Sequence, residues 1–133
     1  MLKSHTVVLG MVYNKDEECS STNKSSMGKQ NNDYRRHVRS LFRFTYRKDF
    51  PAFEPYNITS DAGWGCMLRV SQMLMATAYQ RHLCGKDWRR GPSSDLAALR
   101  ANSAYCNILR WFLDYPGPPH IYAIHHLVQV YSS

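Results

Sequence analysis

Apolar residues along this chain come in short groups set between polar or proline-rich breaks, and each group suggests an element. Thr6, Val7, Val8, Leu9, Met11, Val12 and Tyr13 form a β-branched and apolar run, which predicts a short strand over 6–13. From Asn14 to Asp33 the residues turn polar and no periodic apolar face remains. Segment 14–33 is therefore expected to be a mobile loop, unable to offset its own ordering entropy, with Cys19 a bystander thiol inside it. Helical spacing returns with Val38, Leu41 and Phe42 behind a candidate cap at Asp33. That helix should stop before Phe50-Pro51, because the residue preceding a proline avoids the α region. Residues 51–63, with Pro51, Pro55 and Gly63 among small polar residues, read as a loop.

A longer helix is expected from Cys66 to about Leu83, with Met67, Leu68, Met73, Leu74, Ala76 and Ala78 supplying its apolar content. Gly85 lies just past its end, where a glycine commonly terminates a helix. Ser94 or Asp95 offers a cap for a further helix reaching about Leu113, with Leu96, Leu99, Ile108, Leu109 and Phe112 as core contacts. Tyr115-Pro116-Gly117-Pro118-Pro119 is a firm break, followed by a short helix or strand over 121–130.

Composition narrows the class. At 133 residues, 44% apolar and 20% charged, the chain has the make-up of one globular domain. No apolar run approaches the ~18 residues of a membrane span, and the apolar run at the N-terminus is too short for a signal-peptide core. A cytoplasmic location is the expectation. The net charge of +7 comes from dispersed residues such as Arg35, Arg36, Arg39, Arg43, Arg89 and Arg90. That spread reads as a solvated surface, one able to steer an acidic substrate, and no nucleic-acid partner is expected. Cysteines 19, 66, 84 and 106 form no CxxC pair and no metal-ligand spacing with histidine, so they read as reduced thiols, with no metal or cofactor expected.

One cysteine stands apart. The segment Thr59-Ser60-Asp61-Ala62-Gly63-Trp64-Gly65-Cys66-Met67-Leu68-Arg69 places Cys66 at the start of the long helix. Glycines there allow a tight turn and close approach of a substrate chain. A helix N-terminus favours a thiolate through its free N–H groups and dipole, and those N–H groups suit an oxyanion. Trp64 can wall the site. A buried, inert cysteine opening a core helix is the competing reading, and it is the one preferred for Cys84 and Cys106.

This segment, with Gln72-Met73 after it, resembles the nucleophile motif of the autophagins, the Atg4-type cysteine proteases of autophagy. Phe44-Thr45-Tyr46-Arg47-Lys48-Asp49-Phe50-Pro51 is similar to a second marker of that family, as are Leu9-Gly10 with Tyr13, Asp87-Trp88-Arg89, and the run from His120 to Gln129. The resemblance implies an α+β, papain-like cysteine protease fold, here its helical nucleophile-bearing part, with residues 1–133 the N-terminal part of a single peptidase domain. It implies cleavage after the C-terminal glycine of a ubiquitin-like autophagy modifier, both in the precursor and in the form joined to phosphatidylethanolamine. Membrane contact would then come only through the lipidated substrate. Cys66 matches the nucleophile, Tyr46 the tyrosine that helps stabilise the oxyanion, and Trp64 and Gly65 the wall and turn before the nucleophile. Asp61 matches a position with a structural role, a cap or loop bond. Ser71 and Arg90 depart from the pattern.

The family's aspartate and histidine lie in a downstream Asp-Pro-His motif that does not occur in this sequence. His120, His125 and His126 match non-catalytic positions and read as surface or packing residues. The expectation is a truncated peptidase with little activity of its own, or alternatively a non-catalytic module that binds the modifier or another partner.

Overall fold

A tight turn, rather than one continuous strand, organises the start of the chain. In the computed structural model, which describes residues 5–14, 24–91, 100 and 102–131, strands β1 (His5–Val8) and β2 (Met11–Asn14) form an antiparallel hairpin. Leu9 and Gly10 make the connection with φ of +49° and +80°, the sign that a two-residue hairpin turn needs. The predicted strand over 6–13 is thereby split at its one glycine. Helix α1 runs Lys24–Ser40, beginning nine residues before the expected Asp33 cap. Lysine, methionine and glutamine in 24–33 favour a helix without needing an apolar face, which periodicity alone could not register. Residues 24–33 are thus helical and not loop, while the remainder of the expected mobile segment, 15–23, lies outside the described residues together with Cys19.

The chain divides into two compact units, residues 1–41 and 42–133. In the first, the buried His37 of α1 shares a 2.7 Å hydrogen bond between its Nδ1 and the Tyr13 hydroxyl of β2. Tyr34 packs its ring edge against the same tyrosine.

The second unit opens with an extended segment where a helix was expected. Phe42 and Phe44 are buried while Arg43 and Thr45 are exposed, an alternation of period two that replaces the helical reading of Phe42. Helix α2 (Cys66–Cys84) follows, ending as expected at Gly85 with φ of +93°. Helix α3 (Ser103–Trp111) is capped by Asn102, whose side chain accepts the Tyr105 N–H at 3.0 Å; the cap candidates Ser94 and Asp95 lie outside the described residues. Ile108 and Phe112 are buried as anticipated, Leu109 is largely exposed, and Leu96 and Leu99 lie outside the described residues. The last segment resolves into a helix, α4 (Ile124–Tyr131).

Aromatic stacking makes the core of this unit. Phe42 stacks on Tyr105, Tyr105 on Trp88, and Phe44 meets Phe112, which stacks on Tyr122. Ala76 of α2 and Ile108 of α3 fill the space between them. Four helices and one hairpin among the described residues make an α+β chain.

Candidate active site

The loop before α2 is built around a buried carboxylate. Asp61 has no exposed surface, and its carbonyl accepts the N–H of Trp64 at 3.2 Å and of Gly65 at 2.8 Å, folding 61–65 into a tight turn. Gly63 takes φ of +86° within it. Gly65 is glycine for a different reason: a Cβ there would lie 2.6 Å from the Asp61 Cβ and 2.7 Å from its Oδ2. The turn therefore closes only because position 65 carries no side chain.

Cys66 is the first residue of α2 and is exposed. Gly65 precedes it without any side-chain cap, and the first backbone bond into the helix is Arg69 N–H to the Gly65 carbonyl at 2.9 Å. The N–H groups of an uncapped first turn have no intrahelical acceptor and face outward beside the thiol. Trp64, 39% exposed, is held by its indole N–H donating to the Ser60 carbonyl at 2.8 Å and by edge contact with Phe53. The segment thus presents a thiol, an aromatic wall and backbone donors on one rigid turn.

Polar residues inside the unit supply that rigidity, and of these sequence reasoning gave a structural role to Asp61 but missed Arg47, Arg69, Gln72 and Asp114. Arg69, only 2% exposed, donates from Nε to Asp61 Oδ2 at 2.5 Å and from Nη1 to Asp114 Oδ1 at 3.0 Å and Gln72 Oε1 at 2.9 Å. Its Nη2 lies 2.9 Å from Asp114 Oδ2 as an ion pair whose angles fall outside hydrogen-bond geometry. Burial pulls the Arg69 pKa down, but the hydrogen bonds and charges of Asp114 and Asp61 outweigh it and leave the guanidinium above its ordinary value. Arg47 completes the cluster: its backbone N–H donates to Asp61 Oδ1 at 2.6 Å and its Nη1 to Asp114 Oδ2 at 2.8 Å. Asp114 also accepts the Ile124 N–H at 3.3 Å where α4 begins. The available signal was a charged residue three positions into the helix, among apolar neighbours Met67, Leu68 and Val70, with an amide three further on.

Tyr46 precedes Arg47 and is about half exposed at 49%. It stands one residue from the double tie between Arg47 and Asp61, in which Asp61 N–H also donates to the Arg47 carbonyl at 3.3 Å. No hydrogen bond joins Tyr46 to Cys66.

The histidines of this unit are engaged elsewhere. His120 Nδ1 pairs with the Arg110 carbonyl at 2.6 Å, and His126 Nε2 accepts the Gly117 N–H at 3.3 Å. His125, buried between Phe50 and Phe53, donates from Nε2 to the Pro51 carbonyl at 2.6 Å. His82 sits sixteen residues beyond Cys66 on the same helix, about 24 Å along its axis. No hydrogen bond joins any of them to the thiol. Of the other cysteines, Cys84 is half-buried and burial raises its pKa, partly opposed by the Asn102 side chain, which keeps it a neutral thiol. Cys106 is half-buried too. Among the described residues no cluster of three or more His, Cys, Asp or Glu could hold a metal ion, and no helix is long and apolar enough to cross a membrane.

Residues 31–133 match the model of the peptidase C54 catalytic domain. The chain is 44% identical over 91 residues to the cysteine protease atg4 of Dictyostelium discoideum, a match covering 68% of this chain and 12% of that protein. It is 43% identical over 94 residues to the cysteine protease ATG4B of Gallus gallus, covering 70% of this chain and 22% of the relative. With the cysteine protease ATG4D of Xenopus laevis it shares 32% identity over 125 residues, 66% of this chain and 26% of the relative. The aligned part thus amounts to a quarter or less of the first and second of these proteins and 26% of the third.

Proposed function

This chain belongs to the peptidase C54 family, and from that premise we propose that it carries the nucleophile of an autophagy cysteine protease, with Cys66 in that role. The proposed substrate is a ubiquitin-like modifier, cut after its C-terminal glycine in the precursor or freed from phosphatidylethanolamine, in the cytoplasm. The observation that supports this most is the exposed thiol of Cys66 on the uncapped first turn of α2, held by the Asp61–Arg69 pair.

In this reading residues 1–133 are the N-terminal part of one papain-like peptidase domain; the family match, which starts at residue 31 and so includes residues of both compact units, favours that. The Cys66 sulfur attacks the carbonyl carbon at the scissile bond, and the electron pair of the C=O bond moves onto oxygen. First-turn N–H groups of α2 and the Tyr46 hydroxyl receive that oxyanion, a contribution that mutagenesis of such donors elsewhere puts at about 3 kcal/mol each. Trp64 walls the terminal residues of the modifier, and Gly65 leaves room for its backbone. A base must take the thiol proton and pass it to the leaving amine. Among the described residues of 42–133 no histidine is hydrogen-bonded to the Cys66 thiol, so these 133 residues by themselves are expected to bind and trap more readily than they turn over. If trapping also fails, the chain is better read as a module that docks the modifier without cutting it.

A modifier ending in a glycine vinyl sulfone tests the assignment. The expected result is a covalent adduct at Cys66 in the 133-residue chain, lost in Cys66→Ser, with little cleavage of the unmodified precursor. Binding without adduct would favour the module reading, and rapid cleavage of the precursor would contradict the view that the base is missing.

A further inference from the structure

The Asp61 carboxylate is fully buried and gives its two oxygens to different partners. Oδ1 accepts the Arg47 backbone N–H at 2.6 Å, and Oδ2 accepts Arg69 Nε at 2.5 Å. Arg47 directly follows Tyr46, and Arg69 lies three residues into the helix that Cys66 opens. The Asp61 backbone repeats both ties, through its N–H to the Arg47 carbonyl at 3.3 Å and its carbonyl to the Gly65 N–H at 2.8 Å. The segment bearing Tyr46 and the helix bearing Cys66 are therefore fastened at one residue. Asp114 clamps the two arginines from the far side, so two guanidinium groups face two carboxylates.

We propose that Asp61 is a positioning residue, which through Arg47 and through Gly65 with Arg69 sets the Tyr46 hydroxyl and the Cys66 thiol in register for addition to a carbonyl. This rests on the assignment of Cys66 and Tyr46 made above. The chemistry of the side chain explains why a carboxylate is needed. Both of its oxygens accept, whereas an asparagine has one acceptor oxygen and an NH2 group. Asn at 61 would turn that NH2 toward either the Arg47 N–H or Arg69 Nε, both donors, and lose one tie whichever way it turned.

Two reactions of Cys66 separate register from general integrity. With an aldehyde, the thiol adds across the C=O bond: an S–C bond forms, the π pair moves to oxygen, and the thiol proton ends on that oxygen as a hemithioacetal. This addition builds charge where Tyr46 and the α2 N–H groups must meet it. With iodoacetamide, sulfur displaces iodide and no oxyanion develops, so only an exposed thiolate is required.

The test uses the 133-residue chain and a ubiquitin-like modifier ending in glycinal. Asp61→Asn and Tyr46→Phe are each expected to weaken capture at Cys66 about tenfold, and the double variant little further, since both act on one geometry. Iodoacetamide rates should stay within about twofold throughout, as expected of a change in register that leaves the thiol accessible. A double variant that loses about a hundredfold, full capture by Asp61→Asn, or an equal loss in alkylation would overturn the proposal. A parent chain that captures nothing at Cys66, or a Tyr46→Phe chain that captures normally, would instead sink the assignment of those residues and the proposal with it. Should Asp61→Asn lose its helical circular dichroism, Arg69→Lys serves in its place. It keeps a positive charge beside Asp61 but gives up the fork to Asp114 and Gln72, and the same non-additivity with Tyr46→Phe is expected. Additive losses in that pair would overturn the proposal equally.

Discussion

Two glycines three residues before and immediately before the motif cysteine differ in why they are glycine, and the difference is measurable. Gly63 has a backbone that side chains avoid, with open space around it, so alanine there costs about 1–2 kcal/mol of conformational strain. Gly65 has an ordinary φ of −76°, and alanine there costs about 1–3 kcal/mol because its Cβ meets Asp61. Urea unfolding should find both variants destabilised, and removing the whole side chain at 61, as in Asp61→Gly, should relieve the conflict only for Gly65→Ala, whereas Asp61→Ala keeps the Cβ that lies 2.6 Å away. Two titrating residues give the chain an alkaline limit. Burial holds the Cys84 thiol above its ordinary 9.0, with Asn102 partly opposing, and the hydrogen bond with Tyr79, together with burial, holds Tyr122 above 10.0. In each case the unfolded chain ionises first as pH rises, so the folded state is favoured in full below the ordinary value and loses that advantage above it. The urea midpoint, read in the presence of reductant, is expected to stay level to about pH 9 and then fall; Cys84→Ala should remove the early part of the fall and Tyr122→Phe the later part. A midpoint that rose through that range would contradict both shifts.

Helix α2 is oriented against its own amphipathicity. Its buried positions are Arg69, Gln72, Ala76 and Gln80, while Met67, Val70 and Leu74 are exposed by 74%, 56% and 70%. Leu74→Lys is therefore expected to change stability by less than about 0.5 kcal/mol and to reduce binding of a hydrophobic dye. Ile108→Ala, in the core of α3, should cost about 2–5 kcal/mol. Equal losses for the two would mean that Leu74 is buried after all. Sequence periodicity located this helix and its end at Gly85, because spacing and a terminal glycine are local signals. It did not give the buried face, because Arg69 and Gln72 enter the interior only by virtue of Asp61 and Asp114, eight residues before and forty-five after Arg69. The early start of α1 was hidden for the opposite reason, since a polar helix carries no apolar stripe to read. The cap of α3 at Asn102 was passed over because stronger-looking candidates, Ser94 and Asp95, stood upstream.

At the scale of the whole molecule, the parts of the candidate site that lie near Cys66 in sequence were readable there: the proposed nucleophile, its turn and Trp64 are contiguous from Asp61 to Arg69. What holds them was not, because the cluster joins Asp61 and Arg69 to Arg47 and Asp114, residues from three separate stretches of chain. The family match covers residues 31–133, and the matched region amounts to 12–26% of the three relatives' lengths. Three described cysteines compete for any thiol-directed reagent, and they differ in setting: Cys66 is exposed on a helix start, whereas Cys84 and Cys106 are half-buried. The decisive measurement is mass-spectrometric mapping of the adduct formed with a modifier carrying a C-terminal glycine electrophile. The predicted result is one adduct per chain, on Cys66, absent from Cys66→Ser; an adduct on Cys84 or Cys106, or one that persists in Cys66→Ser, would contradict it.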